Sequence, residues 1–148
     1  MIKNIPSQNL VNSSFAIIEI KKHFLFQLRD NKDHIWYPSM YGLFGGKIED
    51  NENEREAIKR EIHEETNLNL TNFKLINSIS IYKESKSFTR YVFSTKINCI
   101  PDNFCINEGQ GYKLFSISDI DKMKDLIVPN DFISISNYLR LNYGTYLC

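Results

Sequence analysis

The residues able to do chemistry in this sequence fall in one short window: Glu52, Arg60, Glu61, Glu64 and Glu65. On a helix turning about 100° per residue, with Ala57 as origin, Glu61 falls at about 40°, Glu64 at about 340° and Glu65 at about 80°. Three carboxylates then share one arc of about 100°. That arc overlaps the edge of an apolar stripe made by Ala57, Ile58 and Ile62. The i, i+3 and i, i+4 spacings bring like charges together with no cation between them, at about 0.2–0.5 kcal/mol per pair. A hard divalent ion such as Mg²⁺ or Mn²⁺, which takes carboxylate oxygens, would relieve the crowding. Spacing alone also fits a solvated, Glu-rich helix face.

The elements that must position these acids are legible nearby. Asn53 followed by Glu56 is a capping box, so a helix is predicted over 53–66, with Asn67 supplying the left-handed residue that ends it. Before it, 42–48 is a short apolar run broken by Gly45 and Gly46. Upstream, 15–20 and 24–28 read as strands joined by a tight turn at 21–23, and 29–41 as a loop. Downstream, strands are expected over 73–82, 88–97 and 113–117, with a loop over 98–111. Ser118 is placed as the N-cap of a short helix, and a last helix spans 130–142. Residues 1–13 read as a loose arm or a short edge element. Strands around a central helix and closed by another indicate a mixed α/β layered fold.

A chain of 148 residues is about one domain's worth, and no repeat or linker divides it, so 1–148 is expected to be a single domain. Eighteen basic residues balance eighteen acidic ones, which argues against a nucleic-acid polymer as partner, since phosphate backbones select a basic surplus. A small phosphorylated substrate needs only one or two well-placed cations. No run of ~20 apolar residues could cross a membrane, and no secretory signal opens the chain. Cys99, Cys105 and Cys148 have neither paired spacing nor a CxxC, which suits a reducing cytoplasm.

The window from Gly46 to Leu68 resembles the Nudix box, the signature of the Nudix hydrolases. Gly46 is followed after five residues by Glu52, and after seven more by Arg60-Glu61-Ile62-His63-Glu64-Glu65-Thr66-Asn67-Leu68. Asn67 stands where the box has Gly, and Asn51 where a second Gly is often seen. Both are mild departures, because Asn tolerates left-handed backbone. The resemblance implies an α/β/α sandwich with a mixed sheet. It also implies an Mg²⁺-dependent hydrolase, Mn²⁺ able to substitute, cleaving a nucleoside diphosphate linked to another moiety. Glu61, Glu64 and Glu65, with the Gly45 carbonyl, would hold the metal; Glu61 would activate the water, and Glu52 and Arg60 would form a supporting ion pair.

Outside the box, Gly45 to Glu49 looks like the MutT type, which acts on nucleoside triphosphates. Glu108, in Glu108-Gly109-Gln110, falls in a loop where those enzymes place a further catalytic or metal-binding Glu; it could equally be an ordinary loop acid. Arg29 matches a phosphate-contacting Arg, or pairs with Asp30 or Asp33. Asn130 matches a base-reading Asn, or caps the last helix. Lys47 meets phosphate or solvent. Trp36, Tyr37 and Tyr41 have no counterpart that aligns, and stack on substrate or pack the loop on the core. The partner expected is a small nucleotide, most simply a triphosphate; a homodimer stays open. A nucleotide-sugar hydrolase and a non-catalytic nucleotide sensor are the alternatives. Decay of the box acids would mark the sensor, and none is missing.

Overall fold

The computed structural model describes residues 10–147. Strand β1 (Ser13–Ile20) and strand β2 (His23–Leu28) form a hairpin closed by Lys21 and Lys22. Both turn residues have left-handed backbone (φ 49° and 60°), as a two-residue turn that follows the strands' own twist requires. Strand β3 (Tyr41–Gly42) pairs with β2, and strand β4 (Phe44–Lys47) pairs antiparallel with the start of β1. After helix α1 (Glu54–Thr66) come β5 (Lys74–Lys83) and β6 (Lys86–Ile97), joined by a second such turn at Glu84 and Ser85. Strand β6 runs parallel to the whole of β1, and β7 (Gly111–Ser116) pairs antiparallel with β2. Helices α2 (Ile117–Lys122) and α3 (Pro129–Tyr143) complete the order.

Alternation along the strands builds two cores, one on each face of this mixed sheet. Ile17, Phe24, Phe26, Val92 and Phe115 pack beneath α3 through Ile135, Tyr138 and Leu139. Ala16, Ile18, Leu25 and Phe93 pack beneath α1 through Ile58 and Ile62. The result is the expected α/β/α sandwich. Each fully buried large side chain contributes about 1.5–3 kcal/mol, so both helices are held mainly by packing. The buried carboxylate of Glu19 on β1 accepts from the Tyr138 and Tyr143 hydroxyls at 3.0 and 2.7 Å, fastening α3 across the sheet. Burial and the Glu19 charge push the Tyr143 hydroxyl up to about 12.

Several local expectations change. Residues 1–9 of the expected arm lie outside the described residues, as does Cys148. Asn12 is bonded to the sheet and Ser13 opens β1: the Asn12 carbonyl accepts from the Ile48 N–H and its side chain accepts from the Thr89 N–H. The cap of α2 is Ser116, not Ser118. Its hydroxyl accepts from the Asp119 N–H while Asp119 accepts from the Ser116 N–H, a capping box that moves the helix start back by two residues. Asn130 does not cap α3. Val128 occupies the cap position without a side-chain bond and Pro129 fills the first turn, which leaves Asn130 inside the helix.

Candidate active site

Helix α1 begins as its sequence dictates. Asn53 accepts from the Glu56 N–H at 2.8 Å and Glu56 accepts from the Asn53 N–H at 2.9 Å. Asn67, at φ 61°, ends the helix. Between those ends Glu61 and Glu65 lie against β4, and Glu64 is more exposed. The paired glycines of β4 make this approach feasible. Gly45 has φ 147°, and a Cβ there would lie 2.1 Å from the Ser14 carbonyl oxygen on β1. A Cβ on Gly46 would lie 2.7 Å from Glu61 Oε1. Strand β4 is thus pressed between β1 and the acids of α1, and the Gly45 N–H donates to Glu65 Oε2 at 2.9 Å.

Contrary to the expectation from spacing, a cation stands among the acids. The Arg60 Nη1 donates to Glu61 Oε1 at 3.0 Å and to Glu64 Oε2 at 3.1 Å. Its Nε donates to Glu52 Oε2 at 3.0 Å and its Nη2 to the Lys47 carbonyl at 2.9 Å. Arg60 therefore ties the β4–α1 loop to the helix and neutralises one edge of the acid cluster. The guanidinium holds the Glu52 carboxyl below its ordinary range.

Glu65 gets no such help. Its side chain is buried (3% exposed), and burial with the charges of Glu61, Glu108 and Glu64 pushes its carboxyl up to about 9. Burial likewise raises Glu61, against the pull of Arg60. Glu108 reaches this group because the β6–β7 loop is pinned to the end of α1. The Asn107 N–H donates to the Glu65 carbonyl at 2.9 Å and the Asn107 side chain to the Glu64 carbonyl at 2.8 Å. Gly109 adopts φ 86° against the Leu28 carbonyl, and the Gln110 amide donates to the Arg29 carbonyl.

The donor set fits a divalent cation by its chemistry. Keeping a carboxyl of pKa about 9 ionised at neutral pH costs about 3 kcal/mol, and a hard cation among oxygen ligands supplies the missing charge. As the side chains lie, no group of three or more Asp, Glu, His or Cys converges on one point among the described residues. Arg60 draws Glu61 and Glu64 toward itself, so loading an ion requires those two carboxylates to turn toward Glu65.

Two cavities flank the β4 glycines. One of about 210 Å³ is lined by Gly45, Glu65, Glu108, Arg29, Gln27 and Ile35, among others. Arg29 pairs with neither Asp30 nor Asp33: its Nε donates to the Trp36 carbonyl at 2.9 Å, and Asp30 is taken by Lys32. The other cavity, about 240 Å³, is lined by Gly46, Lys47, Asn130, Phe15, Thr89 and Arg90, among others. Of the loop aromatics, Tyr41 packs edge-on against Phe115 with ring centres 5.0 Å apart, while Trp36 and Tyr37 lean on each other.

The sequence reading missed Asp131 and Arg90. Asp131, buried on α3, accepts from the Leu43 N–H at 3.0 Å and pairs with Arg90 of β6. The Arg90 guanidinium lies 3.9 Å from the centre of the Phe15 ring. Burial pushes the Asp131 carboxyl up while Arg90 and the Leu43 N–H oppose the rise. The available signal was its place on the apolar stripe of α3, at i, i+4 from Ile135.

A model of the NUDIX domain matches residues 11–134. The chain belongs to the Nudix family. It is a hydrolase acting on acid anhydrides, in a family that acts on nucleoside diphosphate derivatives. Solved Nudix structures share its fold. The MutT protein of Methanosarcina mazei is 21% identical, with a TM-score of 0.74 over 90% of this chain and 95% of that one. A C. elegans Ap4A hydrolase is 18% identical, with a TM-score of 0.63 over 90% of this chain and 100% of that one. A bifunctional NMN adenylyltransferase/ADP ribose pyrophosphatase from Francisella tularensis is 22% identical (TM-score 0.68), and the match covers 93% of this chain but 42% of that longer protein. No curated protein matches the sequence significantly. No helix among the described residues is long and apolar enough to cross a membrane.

Proposed function

We propose that this Nudix domain, spanning the chain as a single unit in the cytoplasm, is an Mg²⁺-dependent pyrophosphohydrolase whose substrate is a free nucleoside triphosphate. Mn²⁺ would substitute. The observation that carries the reading is the Glu65 carboxyl, buried beside Glu61, Glu64 and Glu108 and left without a cation. Glu61, Glu64 and Glu65, with the Gly45 carbonyl, would hold the metal. The bound ion supplies positive charge that neutralises the pyrophosphate and polarises the phosphorus under attack.

The chain's own groups do the rest. Glu61, held at one oxygen by Arg60, takes the proton of the attacking water, and Glu108, across the cavity, is the alternative base. Arg60 and Glu52 keep the loop and helix in register, with the Gly45 N–H on Glu65. Arg29 offers its guanidinium to phosphate in the cavity that Glu65 and Glu108 line, and Lys47 and Asn130 meet the rest of the nucleotide in the other. A balanced overall charge supports a free nucleotide over an RNA chain. The test is a substrate panel with Mg²⁺, comparing the protein with Glu64→Gln. Pyrophosphate and a nucleoside monophosphate should form from a triphosphate, with loss in the variant. Release of sugar phosphate from nucleotide sugars instead would assign the enzyme to that class, and binding without turnover of any anhydride would make it a sensor.

A further inference from the structure

Two concave surfaces larger than either β4 cavity lie away from the acid cluster. Between the edge strand β5 and helix α3 lie two adjoining cavities of about 420 and 380 Å³. They share Lys74, Ile76, Tyr138 and Asn142. Both fall within the ~300–1,000 Å³ typical of small-molecule sites, whereas each cavity beside β4 falls below it.

The lining has one sign of charge. Lys74, Lys96 and Arg140 contribute cations, amides come from Asn77, Asn137 and Asn142, and no carboxylate among the described residues lines either cavity. Lys96 lies 3.6 Å from the buried Glu19, whereas Lys74 and Arg140 have no ion pair among the described residues. In a chain with zero net charge, an acid-free cationic groove is a local feature, not the spill-over of a basic protein.

A second observation concerns the backbone. The pairing of β5 with β6 slips between Leu75 and Asn77, leaving Ile76 as a bulge residue that packs on the α3 core. Such bulges re-aim side chains and are frequent beside binding sites. This one sets Asn77 in the groove wall, and the Asn77 Oδ1 is buried without a hydrogen-bond partner. A buried acceptor left unpaired is a cost that the fold retains. A ligand group that donates a hydrogen bond to this oxygen satisfies it.

We propose that the β5–α3 groove is a second binding site, for a phosphate-bearing small molecule. Lys74 and Arg140 take the phosphate and the asparagine amides take its polar remainder. Charged donors and amides lining one groove suit a phosphate, which presents several strong acceptor oxygens to several donors at once. The site is separate from the acid cluster: none of its lining residues lines either β4 cavity.

The test is an amide NMR titration with EDTA present, using inorganic phosphate in one arm and adenosine monophosphate in the other at matched ionic strength. The side-chain amide signals of Asn77, Asn137 and Asn142 should shift saturably. A tighter response to the monophosphate identifies a nucleoside phosphate as the ligand class; an equal response identifies the free anion. Lys74→Ala with Arg140→Ala should weaken binding at least tenfold. Asn77→Asp, which puts a negative charge into the groove wall, should do the same. Shifts confined to residues around Gly45 and Gly109, or an unchanged titration in the double variant, would overturn the proposal.

Discussion

The sharpest consequence of the geometry concerns the two glycines of β4, which should respond to alanine in opposite ways. At Gly46 a Cβ would meet Glu61 Oε1 at 2.7 Å. Ordinary contact begins near 3.4 Å, so the carboxylate must retreat by the difference, about 0.7 Å. The atom in the way is the far end of a flexible side chain, and the fold can yield there at little cost. The reacting geometry cannot: misplacement by about 1 Å costs on the order of 10²-fold in rate. Retreat also strains the 3.0 Å bond from Arg60. Gly46→Ala should therefore lower kcat/KM by about 10–100-fold while moving the unfolding free energy by less than about 1 kcal/mol. At Gly45 the obstacle is the Ser14 carbonyl at 2.1 Å, with φ at 147°. Backbone strain of about 1–3 kcal/mol adds to overpacking of similar size, so Gly45→Ala should lose stability first. The assays are phosphate release and urea denaturation on both variants. If Gly46→Ala keeps activity within twofold at unchanged stability, Glu61 does not need its place and the reasoning fails.

Other outcomes follow from the same contacts. EDTA should abolish hydrolysis and added Mg²⁺ or Mn²⁺ should restore it; full turnover in excess chelator would remove the metal from the mechanism. Glu65 holds its proton to about pH 9 in the folded chain, against an ordinary 4.5. The metal-free folded state therefore binds more protons than the unfolded one between those values, and stability falls as pH rises through that window. Glu65→Gln should flatten this slope in melting curves taken with EDTA at pH 6 and pH 9; an identical slope would contradict the assignment. Asp131→Asn strands the Arg90 charge at a largely buried site (side-chain exposures 17% and 5%), so denaturation should show a loss of about 3–5 kcal/mol. Adding Arg90→Met should recover part of it.

Much of this architecture was legible in sequence because it is local. The Asn53–Glu56 box, the left-handed Asn67 and the apolar stripe of Ala57, Ile58 and Ile62 depend on near neighbours alone, and helix α1 formed as they dictate. What was missed depends on reach. A helical wheel records where a side chain starts, and Arg60 is long enough to span Glu52, Glu61 and Glu64 from an adjacent direction. Its i, i+4 relation to Glu64 was the available sign. The cap of α2 moved because Ser116 and Ser118 carry equal propensity, and only the end of β7 at Ser116 decides between them. The placement of Glu108 beside Glu65 rests on Asn107, whose partners lie some forty residues away, and no local pattern encodes such a contact. Asp131 and Glu19 read as ordinary acids until the sheet and α3 enclose them.

The central claim is that the crowded carboxylates of α1 are a divalent-cation site, and electron paramagnetic resonance of Mn²⁺ tests it most directly. Titrating the protein with Mn²⁺ at neutral pH should deplete the free-ion signal saturably. Glu61→Gln and Glu65→Gln should each weaken the binding tenfold or more, and Asn130→Ala, which removes no carboxylate, should leave it unchanged. A wild-type protein that leaves the free Mn²⁺ signal undiminished, or carboxylate variants that bind as tightly as wild type, would contradict the account.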